Sequence, residues 1–255
     1  MKLGKKIIFS EEQIKDIIKM YENNPITTIA KKYNCSNETI TRLLKKQDIK
    51  LRGNRKYFFN ESIFDNIDTA EKAYWIGFIT ADGYINEKRG WLFIQLQYSD
   101  IDHLKKFAKF INCPEEKIKT KKHNITGNLL CYIELDSRKL TNSLIKLNIR
   151  QGKSTNEHVA PIPNEFIKDY IRGIIDGDGN IGKKNINICN SIEVLNYIKD
   201  YLNRTCYTSI GKICIHCNTY RIYICKNRDI VLDHLYYDNC ICLNRKYNYV
   251  KENYK

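Results

Sequence analysis

The sequence predicts an α+β protein in which a small all-α segment precedes two blocks of similar organisation. Two observations predict the blocks: "WIGFITADG" at residues 75–83 is closely similar to "IRGIIDGDG" at residues 171–179, and strands and helices follow each copy in one order. A third observation, helical periodicity near the N-terminus, predicts the all-α segment. The predicted boundaries are an all-α domain at 1–52, a linker at 53–69, a first repeat at 70–156 and a second repeat at 157–255.

The charge of the chain favours a polyanionic partner. Its 255 residues include 43 Lys and Arg against 29 Asp and Glu, a net charge of +14. Residues 1–56 contain 14 of those 43 basic residues but only 6 of the 29 acidic ones. Nucleic acid is the simplest partner for such an excess, and the N-terminal segment is expected to lie beside phosphate.

The ten cysteines are expected to be reduced thiols. The start "MKLGKKIIFSEEQ" has no apolar secretory region, and no run of residues approaches the length of a membrane span. Both observations favour an intracellular, non-secreted protein.

The N-terminal segment is predicted to form a helix-turn-helix domain. Ser10 and Gln13 have capping-box spacing at the start of an amphipathic helix, and two further short helices follow Pro25 and Ser36. The stretch resembles the helix-turn-helix of resolvase- and transposase-type proteins, in which the second helix of the motif enters the major groove. The residues predicted to face DNA are Asn37, Thr41, Arg42 and Lys45. A three-helix bundle used for packing or protein contact is the alternative.

The repeated motif contains two small residues four positions apart, Gly77 with Ala81 and Gly173 with Gly177. That spacing is about one helical turn, so each pair lies on one helix face and permits close approach of a second backbone. Glycine inside a helix costs up to about 1 kcal/mol relative to alanine, which close packing would offset. The two motif helices are therefore predicted to pack against each other.

Asp82 and Asp178 end the two predicted helices, and each is followed by a glycine suited to a helix C-cap. The helix dipole disfavours negative charge at this end, and packing the helices side by side would bring the carboxylates together. A divalent cation such as Mg²⁺ would offset this cost, because it accepts one or two carboxylates and fills its other positions with water and phosphate oxygens. Simple helix-ending Asp-Gly turns are the alternative.

The two motifs and the matched order of elements resemble the LAGLIDADG homing endonucleases over residues 70–250. The resemblance implies two pseudo-symmetric repeats, each an antiparallel sheet with helices on one face, and motif helices at the pseudo-twofold axis. It also implies a monomeric endonuclease that uses Mg²⁺ or Mn²⁺ to cut both strands of a long pseudo-symmetric DNA site, leaving 3′ overhangs.

Site roles follow from the same resemblance. Asp82 and Asp178 match the final acid of the family motif and would bind metal in catalysis. Lys153 and Lys246 occupy places like those of the family's basic residues near the active centre, although phosphate contact or a solvated surface position is the alternative for both. The earlier acid of the motif is Asp176 in the second copy, but Thr80 stands at that place in the first.

Strand alternation predicts which side chains leave the core and face a DNA groove. Amide, basic and tyrosine side chains on such a face are suited to contact base edges and phosphates. The residues assigned to it are Gln95, Gln97, Lys119, Lys121, Asn185, Asn187, Arg221 and Tyr223, with Lys117 extending the basic row.

Two other functions and a zinc site are weighed against the endonuclease. A LAGLIDADG-type scaffold without cleavage would act as a DNA-binding regulator or as an RNA maturase, although such proteins usually lose the final acid, which both motifs keep. The possible zinc ligands are Cys214, His216, Cys217, Cys240 and Cys242. They lack a second pair at zinc-finger spacing, so zinc is unlikely and small buried thiols are the better prediction.

Overall fold

The computed structural model describes residues 7–22, 24–49, 51, 57–152 and 158–254. The chain divides into two compact units: Met1–Glu61 with Ala108–Lys117, and Ser62–Phe107 with Ile118–Lys255. None of the helices formed by the described residues has the length and apolar character needed to cross a membrane.

The helices occur at the N-terminus and around each pair of strands. They are α1 (Glu11–Tyr21), α2 (Ile26–Lys32), α3 (Asn37–Lys46), α4 (Ala70–Asp82), α5 (Ile101–Phe110), α6 (Arg138–Lys146), α7 (Ile167–Asp178), α8 (Ile192–Thr205), α9 (Arg228–Leu235) and α10 (Asn244–Tyr254).

The strands form two antiparallel sheets of four strands each. Sheet 1 contains β1 (Gly83–Asn86), β2 (Trp91–Gln97), β3 (Lys119–Lys122) and β4 (Leu129–Asp136), and sheet 2 contains β5 (Gly179–Ile181), β6 (Ile186–Asn190), β7 (Cys214–His216) and β8 (Thr219–Ile224). The order is β1-β2-β4-β3 in sheet 1 and β5-β6-β8-β7 in sheet 2. The predicted α+β class with two matched repeats and an N-terminal helical region is therefore confirmed.

In the first unit, α1, α2 and α3 share one small core. The predicted capping box is present, because Ser10 accepts from the Gln13 backbone and Gln13 accepts from the Ser10 backbone. Ser36 caps α3 as predicted, and Asn34 takes a left-handed conformation (φ 48°) before it. Buried residues from all three helices form the core: Ile17, Tyr21, Ile29, Ala30, Ile40 and Leu44.

In the second unit, each sheet buries one face under helices. On β2, Leu92, Ile94 and Leu96 are buried and the residues between them are partly exposed, so one face of the strand belongs to the core. Ile186 and Ile188 do the same on β6. Helix α6 packs on β2, and α8 packs on β6 and β8, so these helices cover the buried face of each sheet. The residues that alternate with the buried ones form the outer face, which is more exposed.

Several predicted element boundaries are wrong. The sequence does not predict β1 or β5, the strands that directly follow the two motif helices. Helix α10 is not anticipated either. Lys117, which is predicted to extend the basic row, lies in a short 3₁₀ turn (Glu115–Lys117) rather than on β3.

Candidate functional site

Helices α4 and α7 pack with their backbones in direct contact. A Cβ atom added to Gly77 would lie 2.0 Å from the carbonyl oxygen of Tyr170, and one added to Gly173 would lie 2.1 Å from that of Tyr74. Real Cβ atoms do not approach a backbone oxygen this closely, so only glycine fits at either position. The contact continues at Gly177, where an added Cβ would lie 2.3 Å from the Cβ of Ala81.

Asp82 and Asp178 are the last residues of α4 and α7. The glycines that follow them are C-caps, but they are extended rather than left-handed (φ −79° at Gly83 and −92° at Gly179). An added Cβ would meet the carbonyl oxygen of the helix residue four positions earlier, at 2.7 Å from Ile79 and 2.6 Å from Ile175. Crowding therefore explains both glycines, and each helix passes straight into a strand.

The aspartate of α4 reaches across to the end of α7. A Cβ on Gly177 would lie 3.3 Å from Oδ2 of Asp82, so this carboxylate stands beside the residue that precedes Asp178. Asn190, which is 3% exposed, donates from Nδ2 to Oδ2 of Asp178 at 2.9 Å. Since the Asn190 side chain is also fixed by the backbone N–H of Ser191, it sets the orientation of the Asp178 carboxylate.

The donor chemistry at these helix ends fits a hard divalent cation. The carboxylates of Asp82 and Asp178 are oxygen donors, which Mg²⁺ prefers. In the described part of the chain, no three His, Cys, Asp or Glu side chains group closely enough to hold a metal ion. A cation bound here would therefore use two protein carboxylates and take its other ligands from water and phosphate.

Lys246 lies against the end of α7 and is only 5% exposed. Its ammonium donates to the backbone carbonyl oxygens of Ile175 (2.5 Å), Asp176 (2.7 Å) and Gly179 (2.5 Å). Burial lowers the pKa of Lys246 to about 8, and the nearby negative charges oppose this shift. With its three N–H groups directed at the helix end, Lys246 closes the C-terminus of α7 and places a cation where the dipole favours one.

Asp176 is a fully buried anchor whose partners the sequence did not indicate. Its Oδ1 accepts from the Tyr236 hydroxyl at 2.7 Å, and its Oδ2 accepts from the Tyr74 hydroxyl and the Leu243 backbone N–H, both at 2.7 Å. Burial raises the pKa of Asp176, while Lys246 and these donors act in the opposite direction. The carboxylate thereby joins α4, α7 and the segment leading into α10.

The same network continues to His103 on α5. Nε2 of His103 lies 3.0 Å from the Tyr74 hydroxyl, which already gives its single proton to Asp176. The imidazole therefore donates from Nε2, and Nδ1 is the unprotonated atom. Among the residues that the structure describes, none forms a hydrogen bond with Nδ1. Burial lowers the pKa of His103 to about 3, so this histidine is neutral.

Arg172 forms a second buried anchor on α7. It donates to Asp169 at 2.7 Å and to the backbone carbonyls of Ile241 and Leu235 at 2.8 Å. The hydroxyl of Tyr237 also donates to Asp169, at 2.6 Å. Arg172 and Asp169 therefore form a buried ion pair, with side chains that are 0% and 1% exposed. Hydrogen bonds to the connection between α9 and α10 stabilise this pair.

The two motifs are not equivalent in these polar anchors. Gly83 pairs with Ile94 in sheet 1, and Gly179 pairs with Ile188 in sheet 2, so Ile94 corresponds to Ile188. Two residues further along each strand, Leu96 is therefore the counterpart of Asn190. Thr80, the counterpart of Asp176, donates to the Ile76 carbonyl of its own helix at 2.8 Å.

The sheet residues predicted to face DNA are half-buried or exposed, and on β2, β6 and β8 they alternate with the core residues of their strands. Gln95 is half-buried and Gln97 exposed, and β3 is exposed along its length with Lys119 and Lys121. In sheet 2, Asn187 and Arg221 are half-buried, Tyr223 is exposed, and Asn185 directly precedes β6. The Arg221 guanidinium contacts Sγ of Cys189 (2.9 Å), Nε2 of His216 (2.5 Å) and the Tyr223 hydroxyl (3.3 Å).

In the N-terminal unit, Asn37, Arg42 and Lys45 are exposed on α3, whereas Thr41 is half-buried and donates to the Asn37 carbonyl. Lys153 lies outside the described residues.

The prediction of buried thiols is wrong for two cysteines. Cys214 and Cys217 are exposed, whereas Cys242 is buried and Cys240 half-buried. Both cysteines belong to the hairpin of β7, a three-residue strand at the edge of sheet 2.

Comparison with known proteins gives weak structural similarities and no family. No protein-family model and no curated protein matches the chain. Full-length DUF199/WhiA from Thermatoga maritima is 15% identical, with a TM-score of 0.49 and coverage of 76% of this chain; the chain spans 65% of that protein. The homing endonuclease I-WcaI bound to its DNA recognition sequence is 18% identical, with a TM-score of 0.49; the match covers 75% of this chain and 92% of that one. I-DmoI in complex with DNA and Ca is 14% identical, with a TM-score of 0.48 and coverage of 75% and 98%.

Proposed function

We propose that the chain is a monomeric, site-specific endonuclease that hydrolyses both strands of DNA with a divalent metal ion. The observation that supports this most directly is the helix pair. Helices α4 and α7 touch through their backbones, both end in aspartate, and Asp82 stands beside Gly177. Two carboxylates at adjacent helix C-termini oppose the helix dipoles, so a cation is the component that this arrangement calls for.

Asp82 and Asp178 would hold the ion, and oxygen donors favour Mg²⁺ or Mn²⁺ over zinc. When bound, the ion would neutralise charge on the attacked phosphate and lower the pKa of a water molecule. Asn190 fixes the Asp178 carboxylate, and Lys246 fixes the end of α7 that presents it. We therefore propose a positioning role for Lys246 in place of direct contact with phosphate.

Two surfaces would contact DNA. The outer faces of the two sheets would lie along the two halves of a long pseudo-symmetric target, because the repeats share one strand order. The N-terminal helices would act as a helix-turn-helix, with α3 in the major groove beyond the cleaved region. A net charge of +14 supports both contacts.

A DNA-binding regulator without cleavage is the second candidate. The observation that favours it is the difference between the motifs, since Thr80 and Leu96 replace the anchors Asp176 and Asn190.

The test is selection from a randomised duplex library in Ca²⁺, followed by transfer of the bound pool to Mg²⁺. Enrichment of one long pseudo-symmetric sequence that Mg²⁺ then cuts on both strands would support the endonuclease. Enrichment without cutting would make the protein a regulator, and no enrichment would exclude duplex DNA as its ligand and bring folded RNA forward.

Variants of the selected complex test the metal ligands. Asp178→Asn is expected to keep duplex affinity within about twofold while losing double-strand cleavage. Asp102→Asn, at an exposed position of α5, is the matched control and should cut like the parent protein. Cleavage at the parent rate by Asp178→Asn would remove Asp178 from the catalytic site.

A further inference from the structure

The outer face of sheet 1 carries a continuous row of aromatic rings. Tyr84 lies 5.7 Å from Trp91, Trp91 lies 5.8 Å from Phe93, and Phe93 lies 5.5 Å from Tyr132, measured between ring centroids. These residues come from β1, β2 and β4, so the row crosses three strands. Tyr84 is 41% exposed, and the other three rings are half-buried.

Strand register shows that the fold itself does not require these rings. Strands β1 and β2 can be aligned with β5 and β6 through the pairs Gly83–Ile94 and Gly179–Ile188. Strand β4 can be aligned with β8 in the same way, through the pairs Gln95–Tyr132 and Cys189–Arg221. By this alignment, Tyr84, Trp91, Phe93 and Tyr132 correspond to Asn180, Asn185, Asn187 and Arg221. Sheet 2 has the same topology with amide and guanidinium groups at these places. The aromatic row is therefore specific to sheet 1.

Charge is distributed unevenly over the same face. Lys121 lies above two of the rings, with Nζ at 5.3 Å from the Phe93 centroid and 5.2 Å from that of Tyr132. Lys119 and Lys122 are exposed on the same edge strand. At the other end, Glu134 and Asp136 line a cavity of about 340 Å³ with Arg89 and Trp91.

We infer that this face, defined as Tyr84, Trp91, Phe93, Tyr132 and Lys121, stacks unpaired DNA bases. Aromatic side chains beside a basic track are the means by which proteins hold single-stranded nucleic acid, since every base offers a π-face. The lysines of β3 would hold the phosphates, and the bases would extend from β3 across the rings. The inference assigns a second ligand, single-stranded DNA, to the face of sheet 1 that the proposed function lays along duplex DNA, so the two ligands would use this face in turn. It rests on the proposed function only in that the ligand is DNA.

The two tryptophans provide a direct probe of this face. Trp75 is 0% exposed, whereas Trp91 lies in the aromatic row. In EDTA, a labelled oligothymidylate of about ten nucleotides is expected to quench the tryptophan emission of the whole protein. Trp91→Phe, which keeps an aromatic ring in the face, should lose the quenching while the labelled strand still binds. Binding without quenching in the parent protein would overturn the inference.

Two further variants test stacking and phosphate contact. Phe93→Leu should weaken oligothymidylate binding by about fivefold or more, while Tyr207→Leu, at an exposed position outside both sheets, should leave it within twofold. Equal losses for both variants would overturn the inference. If Phe93→Leu fails to fold, Lys121→Gln provides the test. It should lower the slope of log affinity against log salt for single-strand binding by about 0.7, and an unchanged slope would overturn the inference.

Other probes separate this inference from the proposed function. A selected duplex that is bound and cut, with no response to oligothymidylate, would remove the inference and leave the endonuclease standing. Quenching by oligothymidylate with no duplex selected would support the inference and remove the proposed endonuclease. Tighter binding of oligouridylate than oligothymidylate would identify RNA as the ligand and overturn the assignment to DNA.

Discussion

Leu243 donates its backbone N–H to Oδ2 of Asp176 at 2.7 Å, and this bond ties the segment before α10 to the inside of the second motif. Lys246 follows three residues later and closes the end of α7. The acid that comes first in the motif thus has a different task from the one that ends it. Asp176 positions the polypeptide around the site, while Asp178 lies at the helix end itself.

Replacing Asp176 by Asn should destabilise the protein. The amide nitrogen cannot accept a hydrogen bond, so one of the three donors that face the carboxylate loses its acceptor inside the core. We expect the free energy of unfolding to fall by about 1–3 kcal/mol, measured by urea denaturation. Asp102→Asn, at an exposed site, should change it by less than about 0.5 kcal/mol. Equal effects of the two substitutions would contradict the anchoring role.

Replacing Gly77 by Ala should destabilise the protein despite the better helix propensity of alanine. The added Cβ would lie 2.0 Å from the Tyr170 carbonyl oxygen, and backbone atoms cannot move aside without separating the helices. A loss of about 3 kcal/mol or more is expected in thermal or urea unfolding. Gly211→Ala is the control, because nothing lies within 4 Å of its added Cβ. A Gly77→Ala protein as stable as this control would disprove the close packing.

The stability of the protein should depend on the titration of Lys246. Burial lowers its pKa from 10.5 to about 8, so the folded protein binds this proton less tightly than the unfolded chain does. The free energy of unfolding should therefore rise with pH between about 8 and 10.5, by up to about 3 kcal/mol, and be independent of this group at lower pH.

The measurement is urea unfolding in EDTA at several pH values across that interval. Lys246→Met should remove most of the rise, whatever its effect on the absolute stability. Lys146→Met, which changes an exposed lysine of α6, should preserve the rise. A rise of equal size in the Lys246→Met protein would show that other groups cause it.

The proposed DNA contact of α3 predicts a change in salt dependence. Arg42 and Lys45 are exposed on this helix, and each phosphate contact contributes about 0.9 to the slope of log affinity against log salt. The double replacement of both residues by Gln should therefore flatten the slope for a selected duplex by up to about 2. Lys19→Gln on α1 is the matched control and should leave the slope unchanged. A double variant with the parent slope would place α3 away from DNA.

Much of the framework is determined by local sequence. Two helices that end at Asp82 and Asp178, a capping box at Ser10 and buried alternate residues on β2 and β6 follow from periodicity, capping chemistry and alternation. These features depend on neighbours within a few positions, so residue type and spacing are enough to predict them.

The polar anchors and the aromatic row were decided by the tertiary structure. Asp176 finds Tyr74 on another helix and Leu243 far along the chain, and Phe93 meets Tyr132 only because β2 pairs with β4. Local sequence also favoured a left-handed cap at Gly83, whereas the structure shows an extended residue crowded by Ile79. The physical reason is that partners distant in sequence are chosen by packing and register, which no local pattern of residues contains.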